Sequence, residues 1–264
     1  MIQHIKRLLG IGKPNPARGN SIVVNVEKLE RRVALLEDGV LEEYTVEREG
    51  DQNIVGGIFK GRVKNIEGGL KAMFVDIGLD KNAFLHFWDA IPAALDAGLE
   101  EIQREGKRKQ QKKISSKDIP DIYPIGSEIV IQVSKGPIGT KGPRVTTNIS
   151  LAGRYLVLMP FTEQFGISRK IEDPKERQRL RIITQKLQVP EGMGIIMRTA
   201  ASGIRRRHLV RDLHMLLEQW DEIEARRANN PAPACIFQEP GLIERTARDF
   251  LTEEIDQVMC DDAE

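Results

Sequence analysis

Cysteine is scarce in this chain, which has only Cys235 and Cys260 among its 264 residues. The two cysteines have no metal-ligand spacing, so the sequence predicts neither a zinc site nor a disulfide framework, and a reducing cytoplasm fits. Long apolar runs are missing as well, because the run within residues 1–20 is too short for a signal peptide or a membrane span. We therefore expect a cytoplasmic protein with a short N-terminal extension and no membrane partner.

An excess of charge of either sign is also absent. The chain has 40 Lys+Arg and 39 Asp+Glu, which gives a formal net charge of +1. Any surface for nucleic acid must therefore come from local clustering of cations rather than from overall basicity. A hydrophobic content of 40% with 30% charged residues is typical of a globular protein with enough apolar material for a core.

Groups that could perform catalysis are hard to find in the sequence. General acid–base catalysis needs a titratable group with an oriented partner, and metal-assisted hydrolysis needs clustered carboxylates. Neither His86 nor His208 has a carboxylate at a readable spacing. The acidic pairs are better explained as turn or solvated residues: Asp76 with Asp80, and Asp261 with Asp262. No glycine motif that cradles phosphate is present.

The most informative stretch is 54–87, which predicts three short β-strands joined by glycine turns. Successive side chains of a strand point to opposite faces. Alternation therefore puts Phe74 opposite the apolar residues of its strand, and Phe84 and His86 opposite those of the next strand. On the same reasoning, the first strand presents a row of cations: Lys60, Arg62 and Lys64.

Two aromatic rings beside a basic row suit single-stranded nucleic acid, because rings stack on bases while cations follow phosphates. The alternative is that Phe74 and Phe84 are ordinary core residues of a small barrel. The pattern alone leaves both interpretations open.

The segments around this stretch extend the fold prediction. Three strand-like segments between 21 and 46, with a turn at Asp38-Gly39, predict an antiparallel meander. A cationic, apolar-poor run at 103–117 follows the third barrel strand, and a strand resumes at 128–134. Such a run is either a solvated loop or an arm that gathers RNA. Five short strands with this connection suggest an OB-type barrel, a fold that commonly binds oligonucleotides.

The second half of the chain adds strands and helices. Asp173-Pro174 predicts a helix start, and a longer helix with an apolar stripe is predicted to begin at Ser202. Its first turns contain an arginine tract: Arg205, Arg206 and Arg207. Cations there oppose the helix dipole, which makes a purely structural role slightly unfavourable, although the tract can also be a solvated face.

Several stretches resemble the N-terminal half of the ribonuclease E/G family, bacterial endoribonucleases that cut single-stranded RNA. The strongest similarity lies in 58–78, 146–160, 166–172 and 187–201, and two further stretches extend it, 231–239 and 248–255. These stretches follow in unbroken order over residues 21–260. The main departure is the basic insertion at positions 100–120.

The resemblance implies an α+β fold, in which an OB-fold RNA-binding β-barrel and a 5′-sensor domain are inserted in a split ribonuclease-H-like subdomain. The implied layout is an N-terminal extension (1–20), the first part of the ribonuclease-H-like subdomain (21–53), the OB-type barrel with its basic insertion (54–142), the 5′-sensor domain (143–201) and the truncated second part of the ribonuclease-H-like subdomain (202–264).

The resemblance also assigns binding residues, including Lys141 as a lysine close to the RNA. Together with the residues chosen by alternation, the predicted RNA contacts are Phe74, Phe84, Lys60, Arg62, His86 and Lys141. The pocket for a 5′-monophosphate is implied at Gly153, Val157, Arg169, Arg198 and Thr199. A phosphate dianion is best held by an arginine fork, a hydroxyl and backbone N–H groups. Without the resemblance, Gly153 is a turn or bulge glycine and Arg198 a surface cation at a strand end.

Catalysis in this family uses Mg²⁺ held by two aspartates in a nuclease domain that follows the matched region. The resemblance thus implies Mg²⁺ for the full-length enzyme, with no catalytic residue and no bound metal in this chain. We expect the chain to bind single-stranded RNA in RNA processing and decay without cutting it alone. The missing catalytic domain or further copies of the chain are its other expected partners. The alternative is a stand-alone, non-catalytic RNA-binding or regulatory protein derived from the same family.

Overall fold

The computed structural model describes residues 19–48, 54–92, 99–102, 114–252 and 254–262. Most of the predicted N-terminal extension and of the basic insertion lies outside the described residues. The described residues form two compact units: a smaller one from 19–48 and 240–262, and a larger one from 54–239. None of the helices among these residues is long and apolar enough to cross a membrane.

The strands of the described residues, in chain order, are β1 (Asn20–Val26), β2 (Glu30–Glu37), β3 (Val40–Arg48), β4 (Ile58–Glu67), β5 (Ala72–Asp76), β6 (Ala83–His86), β7 (Leu99–Glu101), β8 (Glu128–Lys135), β9 (Arg144–Thr146), β10 (Leu151–Ala152), β11 (Leu156–Met159), β12 (Phe165–Ser168), β13 (Gly194–Met197), β14 (Ala234–Phe237) and β15 (Ile255–Cys260). The helices are α1 (Ile119–Ile122), α2 (Pro174–Lys186), α3 (Arg206–Asn229) and α4 (Leu242–Phe250).

The smaller unit is a four-stranded sheet in the order β15-β1-β2-β3, which confirms the predicted meander. The first and last strands pair in parallel, whereas the other neighbours are antiparallel. Alternate residues such as Ile22, Val24 and Val33 are buried with Leu242 of α4. Glu47 accepts hydrogen bonds from the amide of Leu242 and from Arg245, so β3 caps the start of this helix. The ribonuclease-H-like assignment of this unit stays a prediction.

The larger unit begins with a closed five-stranded barrel. Its strands follow the order β4-β5-β6-β9-β8, and β8 pairs with β4 to close the ring. Only β6 and β9 pair in parallel among these strands. The interior is filled by alternate residues, including Met73, Val75, Leu85 and Ile131. This α+β architecture with a closed barrel is compatible with the predicted OB-type fold.

Strand β4 pairs with three neighbouring strands along its length. Its first half pairs with β8 and β14, and its second half pairs with β5. A Cβ atom at Gly61 would lie 2.6 Å from a methyl group of Val75 and 2.9 Å from the carbonyl oxygen of Asp76. Glycine at this position therefore lets β4 and β5 approach closely where the barrel turns.

A second sheet of the larger unit has the order β10-β11-β13-β12-β7. Its apolar residues share one core with α2 and α3. Ion pairs from Arg177 and Arg181 of α2 to Glu100 join this helix to the short edge strand β7. The 5′-sensor assignment of this region stays a prediction.

Both predicted helices of the second half are present, with one changed boundary. The carboxylate of Asp173 caps α2 at 3.0 Å from the amide of Lys175, as its sequence predicts. The predicted start of the longer helix at Ser202 was wrong, because α3 begins at Arg206. Gly203 has φ +73°, which an α-helix excludes, so a 3₁₀ turn at Thr199–Ala201 and a bend precede the helix.

Candidate nucleic-acid interface

The outer face of the barrel presents the aromatic residues that alternation predicts. Phe74 and Phe84 are directly opposite each other on β5 and β6, and both are half-buried. Their ring centroids are 5.9 Å apart with planes at 72°, and the ring of His86 lies 6.4 Å from Phe84. The interior positions of these strands are taken by other residues, such as Met73 and Leu85. The alternative that both phenylalanines belong to the barrel core is therefore wrong.

His86 is held in one orientation on this face. Its Nδ1 accepts a hydrogen bond of 3.2 Å from the backbone amide of Trp88. In the neutral form the ring proton is consequently on Nε2, which can act as a donor. The side chain of Trp88 is 63% exposed, an unusual position for so large a ring.

Cations flank the rings on the neighbouring strand and turn. Arg144 of β9 pairs in register with Phe84, and its guanidinium is held by Asp89 at 3.0 and 2.7 Å. Lys141 is exposed in the turn before β9, where its backbone pairs with Ile138. The ammonium of Lys81 donates to the Gly139 carbonyl at 2.6 Å and so fastens this turn to the barrel. Sequence reasoning missed Arg144 as a site residue, although it is only three positions after the predicted Lys141.

The predicted row of cations on β4 is engaged by protein partners. Lys60 is only 15% exposed, forms an ion pair with Glu128, and donates to the carbonyls of Arg227 and Asn230 at 3.2 and 3.0 Å. Its hydrogen bond holds the pKa of Glu128 below its usual range. Arg62 also contacts Glu128, at 3.3 Å. The geometry thus gives Lys60 and Arg62 structural contacts, and their binding of RNA stays a prediction.

The residues predicted for the 5′-phosphate pocket gather around the hairpin of β10 and β11. The guanidinium of Arg198 donates to the Gly153 carbonyl, and its amide donates to the Tyr155 carbonyl at 2.8 Å. Thr199 is exposed, with its hydroxyl 3.2 Å from that of Ser168.

The other two predicted pocket residues lie on β11 and just after the end of β12. Val157 is paired with Ala152 on one side and with Ile196 on the other. Arg169 is exposed and directly follows Ser168, the residue whose hydroxyl meets Thr199. The hairpin, the end of β13 and the end of β12 thus bring the predicted pocket residues into one neighbourhood.

One residue of this neighbourhood was not predicted from the sequence. The carboxylate of Asp212, on α3, accepts hydrogen bonds from three successive amides: Arg154 at 3.1 Å, Tyr155 at 2.9 Å and Leu156 at 2.9 Å. A Cβ atom at Gly153 would lie 2.7 Å from the same carboxylate. No local pattern marks Asp212, because its partners are more than fifty positions earlier in the chain.

The acidic pairs in the sequence have structural partners. Asp76 accepts from the Gly78 amide at 2.9 Å, which with the ion pair to Lys64 lowers the pKa of its carboxyl. Asp261 accepts from the Val26 amide at 2.8 Å and from Asn25, and these bonds lower its pKa too. Across the part of the chain that the structure describes, no group of three or more His, Cys, Asp and Glu could hold a metal ion.

Comparison with known proteins gives one consistent result. The model of the ribonuclease E/G family matches residues 150–264. Ribonuclease G of Escherichia coli K12 is 39% identical over 240 residues, which is 91% of this chain and 47% of that protein. Ribonuclease E of Haemophilus influenzae is 37% identical over 236 residues, 89% of this chain and 24% of that protein.

Ribonuclease E of Escherichia coli K12 is also 37% identical, over 233 residues that make up 88% of this chain and 21% of that protein. The chain therefore spans about half the length of the ribonuclease G it matches, and less of ribonuclease E. By these similarities, which cover most of its length, the chain belongs to the ribonuclease E/G family.

Proposed function

We propose that this chain is the RNA-binding and 5′-monophosphate-sensing portion of an endoribonuclease that acts on single-stranded RNA in RNA processing and decay. The observation that carries this proposal is the pair Phe74–Phe84, half-buried on the outer face of a closed barrel in a member of the ribonuclease E/G family. An apolar pair on the outside of a barrel does nothing for the core, whereas it suits bases that need a stacking partner.

The barrel face combines the two kinds of contact that single-stranded RNA requires. The rings of Phe74 and Phe84, with planes at 72°, offer two differently oriented surfaces to bases. His86 can donate from Nε2 to phosphate oxygens, and Lys141 adds an exposed cation in the turn before β9, the strand that pairs with β6. No contact in this set reads a base edge, which favours binding with little sequence preference.

The second part of the proposal concerns the 5′ end of the RNA. One guanidinium nitrogen of Arg198 donates a hydrogen bond to the Gly153 carbonyl. This bond fixes the orientation of the planar guanidinium group. Beside it, Thr199 presents a hydroxyl and Arg169 a second exposed cation. A 5′-monophosphate has more negative charge than an internal phosphodiester, and a 5′-hydroxyl end offers no phosphate at all. These cations and the hydroxyl would therefore favour RNA with a 5′-monophosphate over RNA with a 5′-hydroxyl end. Loss of that preference in Arg198→Ala is the corresponding test.

Cleavage itself is proposed for the full-length enzyme and would depend on Mg²⁺. A Mg²⁺ ion is normally held by one or two carboxylates together with phosphate oxygens and water. The carboxylates of Asp76 and Asp261 are committed to backbone amides and neighbouring side chains, so neither fits this role. We therefore derive no catalytic step from the described residues.

The RNA-binding proposal is tested by replacing the two rings. Phe74→Ala and Phe84→Ala should each weaken binding of a single-stranded RNA by about 1–3 kcal/mol, the range for one lost stack. The thermal unfolding temperature should change little, because both rings lie outside the barrel core. Fluorescence anisotropy with a labelled oligonucleotide measures the affinity.

Tyr44→Ala provides a matched control, since Tyr44 is an exposed ring on a strand of the smaller unit. Its loss should leave RNA affinity unchanged. Equal affinity of all three variants and the unaltered chain would overturn the proposed binding face. Unfolding of both phenylalanine variants would instead assign the rings to the fold.

A further inference from the structure

Asp212 has an unusual set of partners for a surface helix residue. Its carboxylate accepts from the amides of three consecutive residues, 154–156, at 3.1, 2.9 and 2.9 Å. Successive amides that converge in a turn form a concave site for an anion. Here the anion is supplied by the chain itself, from a helix that begins more than fifty positions later.

The sequence around Asp212 provides arginines as alternative partners for its carboxylate. It is the only acidic residue between positions 204 and 217, and it follows an arginine-rich turn that includes Arg207 and Arg211. An aspartate in such a tract would ordinarily pair with an arginine of its own helix. The carboxylate is instead directed to the hairpin that joins β10 and β11.

Asp212 and Arg198 hold complementary groups of the same short turn. Asp212 takes the N–H groups of residues 154–156, and Arg198 binds the carbonyls of Gly153 and Tyr155. The turn is closed by a hydrogen bond of 2.8 Å from the Gly153 amide to the Leu156 carbonyl. The direction of the Gly153 carbonyl is thus set by the amides that Asp212 fixes.

The hydrogen bonds of Asp212 also depend on the absence of a side chain at Gly153. A Cβ atom there would lie 2.7 and 2.9 Å from the two carboxylate oxygens of Asp212. These distances are shorter than a carbon–oxygen contact allows, so alanine at 153 would push the carboxylate away from the amides. Glycine at 153 and aspartate at 212 are therefore required together.

We propose that Asp212 is a positioning residue for the 5′-phosphate site: it fixes the 153–156 turn, so that the Gly153 carbonyl holds the Arg198 guanidinium ready for a terminal phosphate. This inference rests on the proposed sensing function. It adds that the three turn amides are reserved for Asp212, so the RNA phosphate binds to Arg198 and Thr199 rather than to the turn backbone.

The test is the ratio of dissociation constants for two RNAs that differ only in a 5′-monophosphate or a 5′-hydroxyl. Asp212→Asn keeps the shape of the side chain but removes its charge, which weakens the bonds to the amides. We expect this variant to reduce the preference for the monophosphate about tenfold, the scale of one charge-assisted hydrogen bond. Affinity for the 5′-hydroxyl RNA should not change, and Asp221→Asn, an exposed aspartate on the same helix, should behave like the unaltered chain.

Two further variants separate positioning from folding. Gly153→Ala should reduce the ratio in the same way, because its Cβ atom displaces the Asp212 carboxylate without removing its charge. Because Asp212 acts through Arg198, adding Asp212→Asn to Arg198→Ala should cause no further loss in the ratio.

The outcomes distinguish this inference from the function on which it rests. If Arg198→Ala abolishes the preference while Asp212→Asn and Gly153→Ala retain it, the positioning role is overturned and the sensing proposal stands. If Asp212→Asn lowers the unfolding temperature and weakens both RNAs equally, Asp212 is only structural. If the unaltered chain has no preference, the sensing proposal itself fails.

Discussion

Lys60 connects three separate parts of the larger unit through one ammonium group. It pairs with Glu128 of β8 and donates to two carbonyls at the C-terminal end of α3. The last carbonyls of a helix have no partners within the helix, and a lysine that reaches them acts as a cap. The residue that the sequence assigns to RNA thus has a full set of protein acceptors.

A substitution at Lys60 separates these two roles. We expect Lys60→Met to lower the free energy of unfolding by about 1–3 kcal/mol, because three acceptors lose a charged donor whose side chain is only 15% exposed. Chemical denaturation measures this loss. Lys64→Met is the control: its side chain is 51% exposed and pairs with Asp76, so the change should cost less than about 1 kcal/mol. If Lys60→Met leaves stability unchanged but strongly weakens RNA binding, Lys60 is an RNA-binding residue rather than a structural one.

For single residues, the sequence predicts those side-chain positions that depend on the local alternation along a strand. The outward position of Phe74 and Phe84 follows from the two-residue period of a strand, so it can be read from neighbours. The partners of Lys60 lie 167 and 170 positions away, and those of Asp212 lie 56 to 58 positions away. Such contacts are created by tertiary packing, and no local pattern encodes them.

Among the elements, α3 shows a conflict between helix stability and charge. Its first turn contains Arg206 and Arg207, has no acidic residue, and follows Arg205 at the N-cap without a side-chain capping bond. The exposed N–H groups of that end favour anions, so these arginines are unfavourable for the helix. Their exposure leaves them available to the phosphates of an RNA.

Reversal of this charge should affect stability and binding in opposite directions. We expect Arg206→Glu with Arg207→Glu to raise the free energy of unfolding by about 0.3–1 kcal/mol per site. The affinity for RNA should fall, with a shallower dependence of log K on log salt by about one unit for each lost phosphate contact. Denaturation and binding titrations at several salt concentrations measure the two effects.

Arg226→Glu, in the last turn of the same helix, is the control, because its effect on stability should have the opposite sign. Cations are favourable at that end, so this change should lower stability. An unaltered salt dependence in the double variant would identify the arginine tract as a solvated face.

The apolar stripe of α3 shows which features of a helix can be predicted from its sequence pattern. Five of its predicted positions are buried and the sixth, Leu217, is partly buried; the five are Leu209, Leu213, Leu216, Trp220 and Ile223. The start of the helix was not predicted correctly, because periodicity does not register the positive φ of Gly203. The buried face of an element follows from its pattern, whereas its ends depend on single backbone conformations.

For the whole molecule, the central question is whether binding and cleavage reside in the same chain. We expect the purified chain to bind 5′-monophosphorylated single-stranded RNA and to leave it intact with Mg²⁺ present. The physical reason is that the described residues provide no cluster of ligands for the ion. Gel analysis of the RNA, with EDTA as a control, measures cleavage. Activity that survives repurification and disappears with EDTA would contradict this expectation.

Domain organisation was only partly accessible from the sequence. The closed barrel is consistent with the predicted OB-type fold, since alternation and turn residues define its strands. The layout implied by the family resemblance puts residues 202–264 together, whereas α3 lies in the larger unit and α4 in the smaller one. The domain boundaries and the ribonuclease-H-like assignment stay predictions.

Helix α3 joins the proposed 5′-phosphate site to the barrel. Asp212 fastens it to the turn of the proposed 5′-phosphate site, and the carbonyl of Asn230 is fastened to the barrel by Lys60. The 18 positions between them correspond to a rigid rod of about 27 Å. The helix therefore fixes the separation between the two proposed RNA sites. An oligonucleotide that spans it gains from bivalent attachment, and a shorter one is restricted to one site at a time.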